Sequence, residues 1–159
     1  MAEIARLDGL GWEAYRDVRL SALEDAPTAF GSTLEDERAR AEDEWRARLE
    51  HRTQFVAREG ARTVATVGCL DEDGAVELVS MWVAPEARGS GVADRLVGAV
   101  LDVARERGHG ITVLWVSDGN RAAERLYERH GFARTGRVQP IDDDDPARGM
   151  EFEMRREER

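Results

Sequence analysis

An α/β fold is predicted, with a mixed, mostly antiparallel sheet of about seven strands flanked by four helices. Three observations carry that expectation. Three strand-like runs follow one another between residues 54 and 83, separated by short polar turns. Two helical patterns, over 92–107 and 120–130, alternate with a short apolar strand over 111–116. The chain then closes on two further strand-like runs, Phe132 to Val138 and Met150 to Met154.

The elements follow in order. Glu3 to Leu7 reads as a short opening strand. Trp12, Tyr15, Val18, Arg19, Ala22 and Leu23 then recur at helical spacing until Pro27 and Gly31 break the pattern. Ser32-Thr33-Leu34-Glu35 matches a capping box and opens a second helix to about Leu49. Its apolar anchors are Leu34, Ala41, Trp45 and Leu49. Gln54 to Glu59, Thr63 to Cys69 and Ala75 to Val83 form the antiparallel meander, with turns at Glu59-Gly60 and Asp71 to Gly74. Val92, Leu96, Val97, Val100, Leu101 and Ala104 make the buried stripe of the third helix, ended by Gly108 and Gly110. Ile111 to Val116 suits a central parallel strand, with a right-handed crossover before it. Asn120 to His130 is the fourth helix, and Gly131 ends it. No internal repeat or linker divides the chain, so residues 1–159 are expected to form a single domain.

Composition narrows the function classes. The net charge of −10 excludes the basic face that nucleic-acid binding needs. No apolar run approaches the roughly 20 residues that span a bilayer, and Met1 to Arg6 lacks a basic-then-apolar leader pattern. A cytoplasmic location without membrane contact is therefore expected. Cys69 is the sole cysteine and sits in a strand-like run, which reads as a core thiol in a reducing compartment. His, Cys and carboxylates show no metal-ligand spacing, so no metal is expected. The chain contains no lysine and a single asparagine, Asn120.

The stretch Val83-Ala84-Pro85-Glu86-Ala87-Arg88-Gly89-Ser90-Gly91-Val92-Ala93 is the most informative. A strand ends, a glycine-containing loop follows and an amphipathic helix begins. Unpaired amides and the positive dipole end of that helix favour an anion. Glycine lets backbone approach it closely, and Arg88 adds charge. A P-loop is excluded because no Gly-Lys-Ser/Thr follows. The dinucleotide fingerprint is excluded because Asp94 stands where its last glycine belongs.

Arg88-x-x-Gly91-x-Ala93 resembles the coenzyme A signature of the GNAT superfamily, Gln/Arg-x-x-Gly-x-Gly/Ala. Asn120 to Phe132 resembles the family's Asn-x-x-Ala-x-x-x-Tyr-x-x-x-Gly-Phe segment. The likeness covers residues 75–136. It implies the acyl-CoA N-acyltransferase fold and acetyl-CoA as co-substrate. It also implies that Arg88, Gly89, Ser90, Gly91, Val92 and Ala93 hold the pyrophosphate. By the same resemblance Met81, Trp82 and Val83 lie on a bulged strand beside the pantetheine arm and supply a backbone N–H to the thioester oxygen.

Spacing alone reads Tyr127 as a core aromatic; the resemblance makes it the family's general acid. Glu77, eleven residues before Arg88, matches the base of histone-type members, or else is an exposed strand carboxylate. Asn120 is an N-cap, a pantetheine ligand or both, and Arg121 and Arg125 are either phosphate contacts or solvated charges. Ser80 and Trp82 are candidates to line the site, Trp82 equally for the core.

The implied function is transfer of acetyl from acetyl-CoA to a primary amine, by direct attack in a ternary complex. The alternatives are an idle acetyl-CoA-binding module and an acetyltransferase of protein N-termini or lysines. The resemblance leaves a homodimer open. Glu35, Asp36 and Glu37, in an acidic chain, lead us to expect a cationic acceptor.

Overall fold

A computed structural model describes residues 1–27 and 30–159. Seven strands form one sheet: β1 (Glu3–Leu7), β2 (Thr53–Glu59), β3 (Arg62–Glu72), β4 (Ala75–Val83), β5 (Ile111–Ser117), β6 (Ala133–Pro140) and β7 (Met150–Glu157). Their spatial order is β1-β2-β3-β4-β5-β7-β6, and every pairing is antiparallel except that of β4 with β5. The helices are α1 (Trp12–Asp25), α2 (Leu34–Arg38), α3 (Glu42–Glu50), α4 (Val92–Glu106) and α5 (Arg121–Arg129).

The turns follow from their residues. Asp73 and Gly74 both adopt positive φ, 45° and 80°. That is what a two-residue hairpin between twisted strands requires, and Asp-Gly supplies it. The turn is tighter than expected, so β3 continues through Asp71 and Glu72. β3 is buried on both faces from Val64 to Cys69, with α1 and α4 both packing on it. Cys69 lies in this core, and burial pushes its thiol pKa up, as an inert core cysteine requires. α4 buries Val92, Leu96, Val97, Val100, Leu101, Val103 and Ala104 along one face. Each such side chain contributes about 1.5–3 kcal/mol if fully removed from water.

The long second helix divides into α2 and α3. Thr33, rather than Ser32, caps α2, its Oγ1 accepting from the Asp36 amide at 3.2 Å. The chain leaves the helix after Arg38. It restarts at Glu42, where the Glu44 carboxylate accepts from the Ala41 amide at 2.9 Å. Ala41 is therefore an exposed cap and not an apolar anchor. The break lets Arg40, within it, and Arg48, of α3, reach one carboxylate. Glu37 is fully buried and accepts from Arg40 at 3.0 Å and from Arg48 at 3.0 and 3.1 Å. A buried carboxylate without such partners would cost several kcal/mol. In an unbroken helix Arg40 would still be a neighbour at i+3, but Arg48 would stand about three turns away. Beside it Tyr15, Trp45 and Leu49 form a small second core, Tyr15 and Trp45 meeting edge to face at 5.5 Å.

β5 is central, but it is buried on one face only. Thr112, Leu114 and Val116 are buried, while Trp115 and Ser117 are half-buried on the other face. That face is where the site lies. No helix among the described residues is long and apolar enough to cross a membrane.

Candidate active site

Two irregularities open the sheet. β4 and β5 pair only at Val76–Thr112 and Glu77–Val113. Beyond Glu77 they separate. On the other side of β4, Thr66 faces Trp82 and Gly68 faces Val79, so Val67 alone opposes both Ser80 and Met81. This is a β-bulge, and Ser80 takes a left-handed φ of 55° within it. Left-handed backbone is costly for a residue with a Cβ, about 1–2 kcal/mol. Together the bulge and the separation open a cleft of ≈ 340 Å³ beside β4.

Glu77, Ser80, Met81, Asn120 and Tyr127 all line this cleft. Burial, joined by the carboxylates of Glu72, Glu151 and Glu153, raises the Glu77 pKa to about 7. A carboxyl poised there exchanges a proton near neutrality. Tyr127 is 5% exposed and packs edge to face on Phe132 at 5.8 Å. Burial pushes its phenol upward, so it keeps its proton at neutral pH. Asn120 caps α5, its Oδ1 accepting from the Ala123 amide at 3.2 Å, and still borders the cleft. Both readings of Asn120 are therefore compatible.

The loop before α4 has the features of an anion cradle. Gly89 and Gly91 have φ of 80° and 84°, and a Cβ at either would meet nothing within 4 Å. The amides of Gly89, Gly91, Val92 and Ala93 have no hydrogen-bond partner among the described residues. Those of Arg88 and Ser90 are used within the turn, donating to Pro85 and Ala87 carbonyls at 3.3 Å. The Arg88 side chain is also engaged. Its Nη2 lies 2.5 Å from Asp25 Oδ2, and its Nε donates to the Val83 carbonyl at 3.1 Å. Asp25 also accepts from the Trp82 indole at 3.0 Å. Trp82 thus packs in the core, away from the cleft, and Val83 does not border the cleft either. Arg121 and Arg125 flank a second hollow beside Asn120, with Arg134, which is tied to Glu124.

Several lining residues had no signal in the sequence: Arg19, Phe30, Trp115, Gln139 and Glu151. They come from α1, the loop after it, β5 and the last hairpin, and only the folded topology brings them together beside β4. The acidic run 35–37 does not line the cleft. Glu35 and Asp36 are exposed, and Glu37 is buried against arginine.

The family model described as acetyltransferase (GNAT) family matches residues 17–132. A mycothiol acetyltransferase of Thermobispora bispora is 33% identical over 129 residues, covering 77% of this chain and 43% of the relative. The chain spans less than two thirds of the length of the curated relatives it matches. Among solved structures, a Salmonella typhimurium protein determined with its cofactor acetyl-CoA superimposes with a TM-score of 0.77. It is 21% identical, covering 99% of this chain and 94% of that one. An N-acetyltransferase of Thermoplasma acidophilum in complex with coenzyme A gives a TM-score of 0.74. It is 15% identical, covering 99% of both chains. At such identity the structural likenesses speak for the fold.

Proposed function

Because this chain belongs to the GNAT acetyltransferase family, we propose that it transfers an acetyl group from acetyl-CoA to a primary amine in a ternary complex. One observation carries the reading: a proton acceptor near neutrality, Glu77, and a protonated phenol, Tyr127, line the same cleft between β4 and β5.

Acetyl-CoA supplies the thioester. The amides of Gly89, Gly91, Val92 and Ala93 receive its pyrophosphate at the start of α4, where the helix dipole favours negative charge. The amides of Arg88 and Ser90 are held within the turn and shape it, while the Arg88 guanidinium acts as a charge shared with Asp25. Asn120 and Met81 border the pantetheine arm, and a backbone N–H of the Met81–Val83 segment, of which Met81 borders the cleft, polarises the thioester carbonyl. Glu77 takes the proton of the attacking amine, directly or through a water. Nitrogen then bonds the acetyl carbon, the carbon–sulfur bond breaks, and Tyr127 gives its proton to the leaving sulfur. Residues 1–159 act as one catalytic domain in this account.

Thiol release from acetyl-CoA across a library of amines and peptides tests the reading. Turnover of some amine, with its N-acetyl product found by mass, is expected. Saturable acetyl-CoA binding with no turnover of any amine would make the chain a binding module instead.

A further inference from the structure

Arg19 of α1 is the one cationic side chain among the described residues that line the cleft. Arg19 is 8% exposed and still borders the cleft. Its Nη1 donates to Ser80 Oγ on the bulge at 3.0 Å, and the Phe30 ring lies 4.7 Å from its guanidinium carbon. Its Nη2 stands 3.8 Å from Glu37, too far for a hydrogen bond, and its Nε is buried without a partner among the described residues. Among the described residues only Nη1 of the three guanidinium nitrogens makes a hydrogen bond, and Nε is the one that is buried without one. Leaving a buried donor unmade is costly.

Charge is unbalanced here in the same sense. Glu37 is the carboxylate that Arg19, Arg40 and Arg48 share. One negative charge faces three positive ones. Arg52 adds to the field that acts on Arg19, and burial together with Arg48 and Arg52 lowers the Arg19 pKa against the opposing pull of Tyr15 and Glu37. Glu77 and Glu151 line the same cleft, the latter held by the Gln139 amide at 2.8 Å. The lining thus carries one cation, from α1, and two carboxyl groups, from β4 and β7.

A molecule that satisfies both kinds of group carries an ammonium and an anion together. We propose that the acceptor is an amino acid or a similar amine bearing a carboxylate, and that Arg19 receives the carboxylate while the amine faces Glu77. The guanidinium is suited to this role. It is planar, permanently charged and braced by Phe30 and Ser80, so little freedom is lost when a carboxylate docks. The proposal rests on the acetyl-transfer reading and narrows its acceptor from amines in general to amphoteric ones. It also departs from the expectation of a cationic acceptor over an acidic one, because the acidic run 35–37 behind that expectation is absent from the cleft.

The test compares acceptors in matched sets: an amino acid, its amide and the corresponding amine without the carboxylate. Wild-type kcat/KM should favour the acid by about 10- to 100-fold, the range of a charge-assisted hydrogen bond. In Arg19→Gln the preference should shrink to within about 3-fold, with KM for acetyl-CoA unchanged. Arg19→Lys should recover part of it. The wild-type ratio is decisive even if a variant fails to fold. Equal or faster turnover of the amides, or of polyamines, overturns the proposal, as does a preference that survives Arg19→Gln. If no amine turns over, the transfer reading fails on its own. Calorimetry of amino acids against their amides on the CoA-saturated protein then decides the Arg19 assignment, a preference for the acid supporting it and none overturning it.

Discussion

Glu77 carries the sharpest pH signature in the molecule. Its folded pKa of about 7 lies above the ordinary 4.5, with burial the leading cause and the neighbouring carboxylates adding to it. Between those values the folded protein holds a proton that the unfolded chain releases. Stability contributed by the protonated group is therefore lost as pH rises towards and through 7. Glu77→Gln should be more stable than wild type at pH 8 and indistinguishable from it near pH 4, as thermal melts at the two values would reveal. The same variant should lose the rising limb near pH 7 in kcat/KM and about 10²- to 10⁴-fold in rate. A limb that persists would belong to the acceptor amine. Tyr127→Phe should lower kcat about 10- to 1000-fold at unchanged acetyl-CoA affinity; full activity would leave Tyr127 as a core aromatic. The sequence made both residues visible because each sits in a motif with fixed spacing. Arg19 was visible only as one more position in the α1 pattern, since spacing says nothing about which strand a helix will meet.

At the scale of elements, the cradle and the bulge invite different tests. Gly91 has a φ of 84° and open space where a Cβ would be. Gly91→Glu should cost about 1–2 kcal/mol of backbone strain, measured by denaturant unfolding. It should also reduce acetyl-CoA affinity by at least about 10-fold, because a carboxylate would stand where the phosphates approach the helix dipole. Affinity unchanged in a folded variant would contradict the cradle. Ser80→Val places a β-branched side chain at φ 55° and should destabilise the fold by at least about 1 kcal/mol. The cradle was legible because helix N-termini and glycines have local signatures. The bulge was expected from the family resemblance alone, because Ser80 and Met81 look like any strand pair until β3 is laid beside them. The division of the second helix escaped for the same reason: only the folded chain shows that Glu37 needs both Arg40 and Arg48. For the Trp82 side chain the sequence left cleft and core equally open, and Asp25 and the core hold it.

Across the whole molecule, the sheet order follows from the meander, the β4–α4–β5 unit and the closing hairpin, all of which periodicity revealed. What periodicity could not reveal was which outer elements complete the cleft. Arg148, between the last strands, donates to the carbonyls of Phe30 and Gly31 and thereby joins the closing hairpin to the loop after α1. Two ends of the chain therefore hold one wall of the site. A ligand lying between α4, β4 and α5 should stabilise the folded state as a unit. At 100 times its Kd, acetyl-CoA adds about 2.7 kcal/mol, or a Tm rise of roughly 5–10 °C for a chain of this size. Gly91→Glu should show little of that rise. Whether this cleft joins an amine to an acetyl group is decided by a paired count, in one reaction, of thiol released from acetyl-CoA and of N-acetyl product formed. One thiol per amide is expected, with both rates falling together in Tyr127→Phe. Thiol release without amide, or binding without either, would contradict it.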